Sequence, residues 1–156
     1  MKSYEQMLFP LSDFSLIKFC DKMYHGVIYK ELLKLIEDGD VESLLTKGKG
    51  IIECVDYEMQ NETGDYLMYH IGAHKDHAKG RLLFQTFKRA CDEMSPYHWT
   101  EIMKVMGQPL MHGSVESQNI KLLEHAMSHV DEIYLERLLY DVDAPEVSQW
   151  YDENFT

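Results

Sequence analysis

The stretch GQPLMHGSVESQNIKLLEHAMSH, residues 107–129, decides the fold. Apolar residues recur at helical spacing in its first half, and again at Leu122, Leu123 and Ala126 in its second half. The polar dipeptide Gln118-Asn119 separates the two halves. Because a break of two residues leaves room only for a tight turn, the stretch predicts two short helices that pack side by side.

The same arrangement occurs twice earlier in the chain. A break at Gly39-Asp40 follows an apolar segment that ends with Ile36, and a break at Asp76-His77 lies between Ile71 and Leu82. The three breaks are 37 and 42 residues apart. Repetition at this spacing predicts an all-α fold, in which three to four degenerate helix-turn-helix units stack and bury each other's apolar faces.

The two ends of the chain differ from the repeated units. Residues 1–26 contain enough phenylalanine, leucine and isoleucine to predict an N-terminal capping helix, and residues 27–134 hold the repeats. Residues 135–156, which Pro145 interrupts, predict an atypical last unit and a tail. We therefore expect a single domain over residues 1–156.

Composition and charge restrict the possible partners. The chain has 15 basic and 27 acidic residues and a net charge of −12, a field that repels the phosphates of nucleic acids and anionic lipids. A basic protein partner is the one it attracts. No apolar run is long enough to cross a bilayer, and the three cysteines form no CxxC pair. We expect a protein of the cytoplasm, with the nucleus as a second compartment.

The residues that carry chemistry form no catalytic motif. His70, His74 and His77 are the densest histidine cluster, but the sequence HIGAH lacks the glutamate of a zinc-binding HEXXH motif. No GxSxG, P-loop or GxGxxG pattern occurs either. The sequence therefore predicts no enzyme, no metal and no cofactor. A small metal-dependent or hydrolytic enzyme on a helical bundle is the least favoured alternative.

The repeated units resemble ankyrin repeats. Pro109-Leu110-Met111-His112 stands where T-P-L-H is usual, and Tyr69-His70-Ile71-Gly72-Ala73 resembles L-H-x-A-A. In that pattern His70 and His112 are structural histidines whose imidazoles bond to neighbouring backbone, while Gly39 and Asn119 occupy inter-helix turns. The fold implied is an ankyrin-repeat solenoid.

The order of these motifs over residues 26–140 is similar to that of the short viral ankyrin proteins of polydnaviruses, the vankyrins, which are similar to the inhibitor IκB. This resemblance implies a non-enzymatic inhibitor that binds Rel/NF-κB factors of a host and blocks their DNA binding or nuclear import. A generic ankyrin module directed at another host pathway, such as apoptosis or ubiquitination, is the alternative.

Partner contacts are expected on the fingers between units, residues 55–61 and 95–105, and at helix ends. Exposed aromatic residues on the second finger favour a contact role, although Trp99 has the alternative of folding back to cover the stack. The predicted contact residues are Glu62, Asp65, Tyr97, His98, Trp99, Glu101 and Glu116.

Overall fold

A computed structural model describes residues 14–47, 66–92 and 96–155, with side-chain environments for residues 26–47, 66–92 and 99–155. Within these ranges the chain forms eight helices and no strand, so the predicted all-α class is confirmed. The helices are α1 (Phe14–Asp38), α2 (Val41–Thr46), α3 (Leu67–Gly72), α4 (His77–Asp92), α5 (Pro96–Ser117), α6 (Ile120–Met127), α7 (Glu132–Asp141) and α8 (Pro145–Phe155).

The helices pack as pairs in two rows. Helix α1 packs against α2, α3 against α4, and α5 against α6. Along the first row α1 contacts α3, α3 contacts α5, and α5 contacts α7, while along the second row α2 contacts α4 and α4 contacts α6. Each pair thus buries its apolar side chains against the next pair, as the repeated pattern requires. The helix α1 runs without interruption through residue 26, where a boundary between cap and repeats was expected.

Two of the three predicted turns have the same backbone geometry. Gly39 and Gln118 have φ values of 67° and 58°, and the residue after each donates its N–H to the carbonyl five residues earlier, at 2.9 Å in both turns. This is the Schellman arrangement that ends a helix. The side chains of Asp40 and Asn119 then accept the N–H of the third residue onward and cap α2 and α6. Gly39 and Asn119 therefore lie in turns, as predicted.

The left-handed conformation of Gln118 has a tertiary reason. Its side-chain Oε1 accepts the backbone N–H of Glu146 at 2.8 Å, which satisfies a free donor in the first turn of α8. Glycine would fit the backbone better but would leave that donor without this partner. The turn between α5 and α6 thus also fixes the start of the last helix.

Two substitutions separate these effects. We expect Gln118→Ala to be less stable than Gln118→Gly by about 1 kcal/mol, because both lose the bond to Glu146 and only alanine keeps the left-handed strain. Urea unfolding of the two variants, followed by circular dichroism, measures the difference. Equal stabilities would contradict the assigned backbone conformation.

Helices α3 and α5 cross with their backbones in contact. A Cβ atom on Gly72 would lie 2.6 Å from the carbonyl oxygen of Leu110 and 2.9 Å from the N atom of Ser114. A Cβ atom on Gly113 would overlap the carbonyl oxygen of Tyr69 and lie 2.7 Å from the N atom of Ala73. Only glycine at both positions allows this approach.

The helix α5 corrects the prediction of a projecting finger at residues 95–105. Residues 96–117 form one helix that passes through Pro109, and Pro96 occupies its first position, where proline needs no hydrogen-bond partner for its nitrogen. The sequence rule that proline ends a helix holds for α4, but here proline also starts the next helix. Val105, expected at the end of the finger, lies within α5.

None of the helices within the described ranges combines the length and the apolar character that a membrane-crossing segment requires.

Candidate protein-binding surfaces

Charge is unevenly distributed along the chain. Residues 131–153 contain eight acidic residues and one arginine, a net charge of −7 out of the −12 of the whole chain. The helix α4 has the opposite sign, with four basic residues and one acidic residue. All eight carboxylates of residues 131–153 are exposed. They are Asp131, Glu132, Glu136, Asp141, Asp143, Glu146, Asp152 and Glu153.

An open groove of about 450 Å³ lies between α7 and α8, within this acidic segment. Tyr140, one of the residues that line it, is 91% exposed, the highest value among the large apolar side chains of the described residues. The groove is lined by Glu136, Leu139, Tyr140, Ser148, Tyr151 and Asp152. We call these residues, together with Glu132, the acidic end surface. An exposed aromatic ring among carboxylates is the arrangement that attracts lysine and arginine side chains.

Tyr151 joins the two glutamates of this surface. Its hydroxyl oxygen lies 2.7 Å from both Glu132 and Glu136, which are one helical turn apart on α7. These hydrogen bonds and the negative charges of the glutamates raise the pKa of Tyr151 far above its ordinary value, so the phenol stays protonated. A phenol has one hydrogen to donate. The second carboxylate therefore has an oxygen that can accept a hydrogen bond from solvent or from a ligand.

A second groove runs across the first row of helices, with a volume of about 390 Å³. It draws residues from α3, α5 and α7 and from Tyr66, which precedes α3. We call it the tyrosine groove. Its lining consists of Tyr66, Tyr69, Val105, Gln108, Pro109, His112 and Tyr134.

Glu116 forms the polar centre next to the tyrosine groove. It accepts a short hydrogen bond from the hydroxyl of Tyr69, and its Oε1 lies 3.0 Å from Nε2 of His112. The rings of Tyr69 and His112 meet edge to face with centroids 5.3 Å apart. The contact joins α3 to α5, so this carboxylate is held in place by two neighbouring helix pairs.

The structure places the predicted contact residues in different environments. Glu62 and Asp65 lie outside the described residues, as do the side chains of Tyr97 and His98. Glu101 is exposed and pairs with Lys104 at 3.0 Å. Glu116 contacts Tyr69 and His112, two of the residues that line the tyrosine groove.

Trp99 does not lie on an exposed loop. It is 7% exposed and packs against Phe84 at 5.5 Å between ring centroids, with Nζ of Lys88 5.9 Å from its ring. It sits in the first turns of α5, whose packing against α4 turns the ring toward the core. Its role is therefore the alternative left open above, covering the stack.

The contacts of His112 differ from expectation. His112 pairs with the carboxylate of Glu116, four residues onward, where a bond to backbone was expected. The ring of His70 packs edge-on against Tyr69 at 5.3 Å. A bond from a histidine to the backbone of a neighbouring turn is made by His77, whose Nε2 lies 2.6 Å from the carbonyl oxygen of Ser117. That histidine stands at the predicted break.

The predicted contact residues did not include Tyr69, Glu132, Glu136, Tyr140 or Tyr151. The concentration of acidic residues after residue 130 was a visible signal for the glutamates. A second visible signal was the spacing of His112 and Glu116, which are one helical turn apart and can therefore contact each other. The approach of Tyr69 and Tyr151 to these carboxylates depends on tertiary packing.

One free cysteine, Cys91, lies among the described residues. Cys91 is buried, and this burial, together with the negative charge of Asp92, raises the pKa of its thiol to about 12. A thiol with this pKa is a poor nucleophile at neutral pH. Within the same residues no three His, Cys, Asp or Glu side chains are placed to share a metal ion.

Comparison with known proteins corrects the ankyrin resemblance. No curated protein and no solved structure matches the chain. A family model described as a family of unknown function, DUF5903, matches residues 31–152, and it is not an ankyrin-repeat family. The identification with vankyrins was therefore wrong, because short helix pairs at a similar spacing generate the same degenerate motifs. As the match covers most of its length, the chain belongs to the DUF5903 family.

Proposed function

We propose that this protein is a non-enzymatic binding module whose acidic end surface recognises a basic segment of another protein. The observation that carries the proposal is the concentration of eight exposed carboxylates against a single arginine in residues 131–153, the segment that also contains the exposed ring of Tyr140. Unlike charges on partners steer association and set specificity.

The contacts of Tyr151 favour a cationic ligand at this surface. One of the two glutamates beside its hydroxyl has no hydrogen to accept from it, since the phenol donates only once. An ammonium or guanidinium group supplies several donors and offsets one of the two negative charges. The adjacent rings of Tyr140 and Tyr151 offer apolar area and faces that attract cations.

We further infer that the stacked helix pairs act as a short solenoid scaffold, in which extended surfaces are available for partners. The Rel/NF-κB partner expected above rested on the ankyrin resemblance. With that resemblance corrected, the proposal keeps a basic protein partner.

Binding of a fluorescein-labelled nonalysine peptide tests this function by fluorescence anisotropy. We expect saturable binding that weakens steeply between 0.05 and about 0.5 M salt, because exposed charges are screened over a few ångströms at high ionic strength. The double variant Glu132→Gln/Glu136→Gln should lose about three- to tenfold in affinity, as exposed ion pairs contribute a fraction of a kcal/mol each.

A matched control separates local contacts from total charge. The variant Glu37→Gln/Glu42→Gln removes the same two charges from exposed positions on α1 and α2, at the other end of the stack. We expect its affinity to stay within twofold of the unmodified protein. Equal losses of peptide affinity in both double variants would show that binding depends only on the total charge of the protein. That result would refute the proposed surface.

A further inference from the structure

The tyrosine groove has the composition of a binding site for one planar cation. The lining contributed by the described residues includes three tyrosines, a histidine and a proline, and contains no lysine or arginine. Glu116 is held beside it by Tyr69 and His112. Aromatic faces next to a fixed carboxylate combine the two interactions that guanidinium groups use most, stacking and bidentate hydrogen bonding.

Glu116 pairs with no lysine or arginine among the described residues. Its two donors there are the phenol of Tyr69 and the imidazole of His112. Each oxygen accepts one of these donors and keeps a lone pair for another. The carboxylate is therefore positioned by Tyr69 and His112 and can accept further hydrogen bonds from a cationic group.

We propose that the tyrosine groove binds an arginine side chain of the basic partner segment, with its guanidinium on Glu116 and its plane against the tyrosine rings. The inference rests on the proposed function and extends it to a defined residue of the partner. Helix α7 links the two surfaces, because it supplies Tyr134 to the groove and Glu132 and Glu136 to the acidic end surface.

Arginine is favoured over lysine on geometric grounds. A guanidinium presents parallel donors in a plane that matches both oxygens of a carboxylate, whereas an ammonium is a compact, strongly hydrated point charge. The volume of the groove, about 390 Å³, lies in the range of sites for small molecules and accommodates one such side chain.

The probe is N-acetyl-arginine amide, titrated into the full chain while the ring protons of Tyr69 and His112 are followed by NMR. We expect saturable shifts of both rings, binding of N-acetyl-lysine amide at least threefold weaker, and no saturable shifts with the uncharged citrulline analogue. Glu116→Gln should weaken arginine binding at least tenfold. Glu124→Gln, an exposed change on α6, is the matched control and should have no effect.

Three results would overturn the inference: no saturable shift, a shift that Glu116→Gln leaves unchanged, or equal binding of the citrulline analogue. The circular dichroism spectrum of each variant checks that the helices are intact. The test is independent of the nonalysine experiment. Loss of peptide binding in Glu132→Gln/Glu136→Gln alone concerns the acidic end surface, and loss of arginine amide binding in Glu116→Gln concerns the groove.

Discussion

Gly113→Ala is expected to destabilise the fold by at least about 3 kcal/mol, the upper part of the range for overpacking, because both atoms in the clash belong to backbones. The added methyl group would overlap the carbonyl oxygen of Tyr69 and approach the N atom of Ala73. Neither helix can relieve this contact by changing a rotamer. Helices α3 and α5 must separate, and the apolar residues between them lose contact.

Gly26→Ala is the matched control. Gly26 also lies in a helix, α1, but a Cβ atom there would meet nothing within 4 Å. Alanine has a higher helix propensity than glycine, so this variant should gain up to about 1 kcal/mol. Urea unfolding followed at 222 nm measures both free energies of unfolding. A loss below 1 kcal/mol for Gly113→Ala would mean that α3 and α5 do not cross as described.

Local signals in the sequence were sufficient to predict the turns that separate the paired helices. The breaks at Gly39-Asp40 and Gln118-Asn119 are turns with cap residues in the expected places, because a helix end needs a left-handed residue and a side chain that accepts the next free N–H. The continuous helix α5 was not predictable in this way. Its passage through Pro109 is stabilised by packing against α3, α4 and α6, which local propensity does not contain.

The binding surfaces were only partly predictable. The acidic residues after position 130 could be counted in the sequence. The expectation of a basic partner, however, used only the net charge of the whole chain. The environment of Trp99 stayed open between two alternatives, because an aromatic residue next to Ser95-Pro96 is equally compatible with a loop and with the first turn of a helix. The position of Tyr69 beside Glu116, 47 residues away, depends on the crossing of α3 and α5 at Gly72 and Gly113.

Asn119→Ala is the second substitution with a large expected effect, a loss of about 2–3 kcal/mol. Asn119 is 1% exposed and has two roles. Its Oδ1 accepts the N–H of Leu122 and caps α6, and its Nδ2 donates to the carbonyl oxygen of His77 at 3.2 Å. Alanine removes a cap, which costs about 1 kcal/mol, and leaves a partly buried carbonyl without this donor, which costs about 1–2 kcal/mol more.

Asp40→Ala is the comparison that isolates the second role. Asp40 caps α2 by the same kind of bond, to the N–H of Ser43 at 3.1 Å. Of the hydrogen bonds described for the two cap side chains, only the one from Nδ2 of Asn119 to His77 reaches a neighbouring pair. We expect Asp40→Ala to lose clearly less stability than Asn119→Ala in the same urea titration. Equal losses would indicate that the bond to His77 contributes nothing. A larger loss of unfolding free energy at Asn119 would show that the turn between α5 and α6 stabilises the packing of one helix pair against the next.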